Sequence, residues 1–220
     1  MARISRLVVP GYPHHITQRG VRSMDVFADD GDRLAYLKLL AEETRKAGVT
    51  IFCWCLMSNH IHLIAVPEEE KSLARGIGEA HRRYTRMKNF SEGVRGYLFQ
   101  GRFHSCVLDQ PHLLAAARYV ERNPVAARMV PSALDYRWSS ARFHAGLVEE
   151  DPLVRNQMLP DMVGDWQEFL RGEDDAEKSR QIQRGTRTGR PVGGERFALE
   201  VETLIGRSLR PERAGRRRKH

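Results

Sequence analysis

The sequence predicts an α+β fold: an antiparallel sheet with helices on one face, followed by a basic, partly helical C-terminal tail. Three observations predict it. Strand-like and helix-like apolar patterns alternate in the order β-α-β-β-α-β between His14 and about Met129. Residues 58–66, Ser58-Asn59-His60-Ile61-His62-Leu63-Ile64-Ala65-Val66, read as a strand with two polar side chains on one face. Charge then shifts sharply along the chain. Of a formal net charge of +8 over 220 residues, 13 Lys/Arg against 4 Asp/Glu lie from Lys178 onward, and the first 177 residues carry 23 against 24. The element order is that of the split βαβ, ferredoxin-like arrangement.

Each element has its own signal. His14-His15-Ile16-Thr17-Gln18-Arg19-Gly20 is a short strand after the Gly11-Tyr12-Pro13 turn. Asp29-Asp30-Gly31-Asp32 opens a helix, in which Leu34, Leu37, Leu40, Ala41 and Thr44 recur at helical spacing up to a stop at Gly48. Residues 49–57 are apolar and β-prone, and Met57-Ser58-Asn59 turns into the histidine strand, which ends at Pro67. Residues 72–89 form a helix with Leu73, Ile77, Ala80, Tyr84 and Met87 along one side, and residues 93–101 form a loop rich in glycine and aromatics. A fourth strand covers 104–108. Pro111 opens the next helix in its favoured early position. That helix runs to about Arg122, where Asn123-Pro124 is expected to interrupt it, because the residue before proline is pushed out of αR. A shorter helical piece follows to Met129, and Tyr136-Arg137-Trp138-Ser139-Ser140-Ala141 reads as a closing segment anchored by Trp138.

These elements make one domain of residues 1–148. Residues 149–177 are acidic and linker-like, with a helical fragment near Trp166 and Phe169. Residues 178–220 form a basic tail, whose charge makes DNA binding the expectation. Its first part, 178–194, is Gly/Arg/Thr-rich and expected to be flexible; Phe197, Val201, Leu204 and Ile205 have helical spacing; Arg216-Arg217-Arg218-Lys219 closes it. Gly189-Arg190-Pro191 resembles the core of a minor-groove AT-hook. A second basic run, Arg75, Arg82, Arg83, Arg86, Lys88, Arg95 and Arg102, is interspersed with only Glu79 and Glu92. Both runs favour an anionic partner.

Several classes are excluded. Three cysteines, Cys53, Cys55 and Cys106, without paired spacing argue against a disulfide framework, and Cys53-Trp54-Cys55 reads as strand packing rather than a zinc site. No apolar run reaches membrane-spanning length, and Met1-Ala2-Arg3-Ile4 opens no signal peptide, so a cytoplasmic protein is expected.

His60 and His62 alternate onto one strand face, where two imidazoles can hold a metal ion or a phosphate. A metal there can polarise a phosphodiester, and the reaction then needs a nucleophile. Of six tyrosines, Tyr119 is the best placed, on the helix after the fourth strand, with Asn123 one turn on along the same helix face. A phenol, with a normal pKa of about 10, needs an activated substrate and accurate positioning.

These pieces together resemble the HUH single-tyrosine transposases, and within them the REP-associated tyrosine transposases of bacteria. The matching segments are Gly11-Tyr12-Pro13-His14-His15-Ile16-Thr17 with Arg19-Gly20, Leu56-Met57-Ser58-Asn59-His60-Ile61-His62-Leu63, Leu98-Phe99-Gln100-Gly101-Arg102-Phe103, Arg118-Tyr119 through Asn123-Pro124-Val125, and Tyr136-Arg137-Trp138-Ser139-Ser140. The resemblance covers about residues 3–145. It implies a metal-dependent nuclease and strand transferase acting on single-stranded DNA beside hairpins such as REP elements, in the bacterial nucleoid. His60 and His62 would bind Mg²⁺ or Mn²⁺. Asn123 stands where the family places a polar side chain, often glutamine, and is a candidate third ligand. Tyr119 would form a 5′-phosphotyrosine. Arg19, Arg82, Arg83, Arg86, Lys88, Arg102, Arg190, Arg216, Arg217 and Arg218 are the candidate DNA contacts. Monomer and homodimer both remain open. The alternatives are a non-catalytic nucleic-acid-binding regulator and a replication-initiator or relaxase nuclease.

Overall fold

Four strands, β1 (His14–Arg19), β2 (Val49–Leu56), β3 (His60–Pro67) and β4 (His104–Val107), form one antiparallel sheet in the order β2-β3-β1-β4. The structure is a computed structural model and describes residues 6–209. Among these residues the α-helices are α1 (Asp30–Lys46), α2 (Glu79–Glu92), α3 (Gln110–Ala126), α4 (Ala141–His144), α5 (Met158–Asp161), α6 (Trp166–Arg171), α7 (Ala176–Thr188) and α8 (Glu195–Ile205), with a π-helical turn, Ala74–Gly78, leading into α2. The α+β class and the split βαβ order stand as expected. α1 carries the chain past one strand position, Met57, Ser58 and Asn59 turn β2 back as β3 to fill it, and α2 returns the chain to β4 on the far side of β1.

The register sorts side chains onto two faces. Ile16, Ile61, Leu63 and Ala65, all fully buried, share the face covered by α1 and α2. Asp29 caps α1 by accepting from the Asp32 amide, and Gly48, at φ +63, makes the turn from α1 into β2 that a side chain would strain. The two helices are tied by Tyr36 Oη, 3.0 Å from His81 Nε2, and by Arg83 against Glu42 and Glu43. His15, Thr17, His60, His62, His104 and Cys106 share the other face. That face is not bare. α3 approaches within 3.8 Å, from the Ala117 carbonyl to Cys53 Sγ, and α7 brings Thr186 Oγ1 to 2.7 Å from His15 Nδ1. The sheet therefore carries helices on both faces rather than on one as expected, because α3 and the C-terminal α7 pack on the histidine face, and what remains open there is a cavity.

Asn123-Pro124 does not interrupt α3. Pro124 lies in its last turn, so it removes a single helical hydrogen bond, and its ring is buried. The Asn123 side-chain amide meanwhile donates to the Tyr119 carbonyl at 2.7 Å. The closing segment anchored by Trp138 meets β2: Leu56 N–H donates to the Trp138 carbonyl at 2.9 Å, and Tyr136 Oη to the Leu56 carbonyl at 2.7 Å.

Two expectations about the C-terminal third need correction. Residues 149–177 are packed rather than linker-like. Asp151, 6% exposed, accepts from Trp54 Nε1 at 2.9 Å, and Trp166 Nε1 donates to Glu121 Oε2 at 2.7 Å. Glu121, 0% exposed, also accepts from Ser140 Oγ at 2.6 Å and pairs with His144 Nδ1 at 2.7 Å, so one carboxylate ties α3 to α4 and α6. Residues 178–188, expected to be flexible, are helical as α7. Asp175 caps it by accepting from the amides of Glu177 and Lys178, and Ile182, Gly185 and Thr186 are buried against the sheet. Gly189-Arg190-Pro191 is the turn that ends this helix: Gly189 takes φ +72, and Val192 then bridges to Leu108. Phe197 and Val201 of α8 pack with Leu7, Val9 and Val107 in a second small core.

Candidate active site

One end of the histidine face gathers the chemistry. The register sets Arg19 opposite His60, and Thr17 opposite both His62 and His104. The His60 and His62 ring centroids are 5.0 Å apart. α3 buries Leu113, Ala116, Ala117 and Val120, and the alanines let it sit close to the sheet. Tyr119, at the edge of that stripe, lies with its ring edge-on to His62 at 5.6 Å and to His15 at 5.8 Å. These side chains line a cavity of about 330 Å³, joined by Asn123 one turn beyond Tyr119 and by Gln183 and Arg187 from α7.

Burial sets the protonation states. It pushes His60 down to about 4, with the Arg19 cation adding to the effect. It holds His62 well below the usual imidazole range, helped by His15, His60 and Arg19. Both rings are neutral at pH 7. Asn59 Nδ2 donates to the Ser23 carbonyl at 3.2 Å, which turns Oδ1 toward His60 Nδ1 at 2.6 Å. Amide oxygen only accepts, so His60 donates from Nδ1 and its Nε2 keeps a lone pair. Asn123 spends its amide nitrogen on the Tyr119 carbonyl, leaving Oδ1 as its acceptor. Burial raises the Tyr119 phenol, while Gln183, Arg19 and Asn123 oppose the rise. Gln183 Nε2 donates to Tyr119 Oη at 3.3 Å.

Two neutral imidazoles and an amide oxygen fit a divalent cation whose remaining positions are filled by water and phosphate oxygens. No group of three His, Cys, Asp or Glu side chains among the described residues is arranged to hold a metal, so Asn123 or the substrate would have to complete the shell.

The candidate DNA contacts fall into different places. Arg19 lines the cavity. Arg82, Arg83 and Lys88 are engaged by Glu79, by Glu42 and Glu43, and by Asp32 and Glu92, and their helix lies on the other side of the sheet. Arg86 and Arg102 are exposed, and Arg190 sits in the turn after α7. Arg216, Arg217 and Arg218 lie outside the described residues. The sequence singled out neither His15 and His104 nor Gln183, Thr186 and Arg187. The two histidines carried a signal, since His15 alternates with Thr17 and Arg19 along a strand. The α7 residues carried none, because their segment read as flexible.

The family model for IS200-like transposases matches residues 9–123. The chain belongs to that family. The matched span includes both histidines of β3 and Tyr119 and ends on Asn123. No curated protein matches the chain. Among solved structures, a REP-associated tyrosine transposase bound to a REP hairpin is similar, at 15% identity and a TM-score of 0.58, over 71% of this chain and 92% of that one. At that identity the likeness is one of fold. In this IS200-like transposase, α7 lies beyond the family-matched span and still supplies part of the cavity wall. No helix among the described residues is long and apolar enough to cross a membrane.

Proposed function

We propose that the protein cuts and rejoins single-stranded DNA beside hairpins, with Tyr119 as the nucleophile. The observation that carries this reading is the convergence of Tyr119 with His60 and His62 in one cavity, the phenol ring 5.6 Å from that of His62. Tyr119 Oη bonds to phosphorus as the P–O3′ bond breaks. The phenol gives up its proton, the departing oxygen ends as a free 3′-hydroxyl, and the DNA stays on the protein as a 5′-phosphotyrosine. The new ester conserves the bond energy, so a 3′-hydroxyl can reverse the step and rejoin a strand. A divalent cation, Mg²⁺ or Mn²⁺, held by His60, His62 and Asn123 would supply polarisation of the scissile phosphate. Arg19 and Arg187 offset phosphate charge at the cavity, and Gln183 holds the phenol oxygen in place. Arg86, Arg102 and Arg190, with Arg216, Arg217 and Arg218 of the tail, add contacts to the DNA backbone. The hairpin-bound structure of similar fold supports a hairpin partner.

A 3′-labelled strand carrying a hairpin tests the proposal. With Mg²⁺ or Mn²⁺ it should give an SDS-resistant protein–DNA adduct that EDTA prevents. Hairpin binding without any adduct would instead indicate a regulator that has kept the fold and lost the chemistry.

A further inference from the structure

The cavity histidine His62 is not alone on its inner side. His62 Nδ1 lies 3.1 Å from His15 Nε2, and the ring centroids are 5.3 Å apart, the span of two imidazoles meeting nitrogen to nitrogen rather than face to face. His15 Nδ1 lies 2.7 Å from Thr186 Oγ1 on α7. Thr186 Oγ1 is in turn 2.8 Å from the Ile182 carbonyl one turn back and 3.2 Å from Cys106 Sγ. The two histidines are 1% and 4% exposed, and Cys106 is fully buried.

Donors and acceptors along this chain can be assigned by counting protons. A carbonyl only accepts, so the Thr186 hydroxyl donates to Ile182. Its oxygen then accepts from the Cys106 thiol and from His15 Nδ1–H. A neutral His15 protonated at Nδ1 has a bare Nε2, which accepts from His62 Nδ1–H. His62 is thereby left with its lone pair on Nε2, the other side of the ring. The reverse direction, with Thr186 donating its only proton to His15, gives up the bond to the Ile182 carbonyl and puts a proton on His62 Nε2. The first direction satisfies more of the buried groups.

We infer that Thr186 and His15 are positioning residues that fix His62 in the tautomer able to bind a metal. The inference rests on the proposed metal role of His62, and it makes α7 a part of the metal site although that helix lies beyond the family-matched span. His60 gets the same tautomer from Asn59, so two unrelated hydrogen-bond chains present the two ligands alike. Fixing a ligand ring through its second nitrogen changes metal affinity by about 10–100-fold in other sites.

The test uses the full chain with ¹⁵N-labelled histidine, read first without metal. NMR of the wild type should show His62 protonated at Nδ1 and bare at Nε2. Thr186→Val, which keeps the shape and removes the hydroxyl, should move His62 toward the Nε2–H form and weaken Mn²⁺ binding by about 10–100-fold without DNA present. Thr186→Ser should keep both wild-type properties. His62 protonated at Nε2 in the wild type overturns the inference outright. So does a Thr186→Val protein with unchanged tautomer and Mn²⁺ affinity. If Thr186→Val fails to fold, the wild-type and Thr186→Ser tautomers still decide. Adduct formation plays no part in these readouts, so a protein that cleaves no DNA would refute the proposed function without touching the tautomer.

Discussion

Replacing Tyr119 by phenylalanine removes one oxygen and nothing else from the cavity. That oxygen, on a half-buried group, accepts a long hydrogen bond, 3.3 Å, from Gln183 Nε2, with the Asn123 side chain also acting on it. Such a bond contributes about 0.5–1 kcal/mol or less. The ring's edge-on packing against His62 and His15, at 5.6 and 5.8 Å, is kept by phenylalanine. In a chain of this length about 1 kcal/mol moves the melting temperature by roughly 2–4 °C. Tyr119→Phe should therefore melt within that margin of the wild type and bind a hairpin strand as tightly, while the SDS-resistant adduct on a 3′-labelled strand disappears. An adduct at wild-type yield would place the nucleophile on another residue and refute the assignment. Of the other tyrosines, Tyr84 is an unsuitable substitute, since it is fully buried on the far face with its hydroxyl donating to the Val26 carbonyl at 2.9 Å.

The tail can be divided by two truncations. Ending the chain at residue 177 removes α7 and with it the burial of Ile182, about 2–3 kcal/mol on its own, so both stability and adduct formation should fall. Ending it at residue 209 removes six Lys/Arg and one Glu, and should spare the adduct. It should also flatten the dependence of log K on log[salt] by about 0.7 for each single-strand phosphate that the shortened tail no longer neutralises; an unchanged slope would assign those cations another role. Acid should destabilise the fold. His14 is fully buried with Nδ1 2.8 Å from the Tyr12 carbonyl and Nε2 accepting from the Val9 amide, which only the neutral ring can do; burial pushes it down to about 4. The folded pKa is below the unfolded value of about 6.5, so stability is complete above that pH and falls by up to about 1.4 kcal/mol per unit toward pH 4. Urea titrations at pH 7.5 and 5.5 giving the same free energy would contradict this. Gly185→Ala should lower the melting temperature despite the better helix propensity of alanine, and a rise would mean that α7 does not dock as described.

The sheet was legible in the sequence because its strands are short, apolar and bounded by turn residues, and because the β-α-β-β-α-β order leaves few ways to arrange them. His60, His62 and Tyr119 were legible for a related reason. Strand alternation and helical spacing are local rules, and each of these residues obeys one. The pairing of β1 with β3 is not local, and it is what brings His15 beside His62. The packing of 149–177 was hidden because its anchors, Asp151 and Trp166, are isolated side chains that meet Trp54 and Glu121 from distant parts of the chain. Composition sees only the surrounding acids.

α7 escaped for a different reason, and that reason bears on its role. Of its buried residues, Ile182, Gly185 and Thr186, only one is a large apolar side chain, so no hydrophobic stripe announces a docked helix. The surface beneath it explains the choice. It meets His15 and Cys106, small polar groups that need hydrogen bonds rather than hydrocarbon, and Thr186 provides them. Gly185 provides closeness: a Cβ there would lie 2.1 Å from Val192 Cγ2 and 3.2 Å from the Arg190 carbonyl. In an isolated helix that glycine costs about 1 kcal/mol relative to alanine. A helix that accepts this penalty, and covers a polar strand face with a hydroxyl, is shaped by the site under it rather than by its own propensity. The glycine and threonine that made the segment read as flexible are the ones that let it dock: Gly185 admits Val192 and the Arg190 carbonyl, and Thr186 bonds His15.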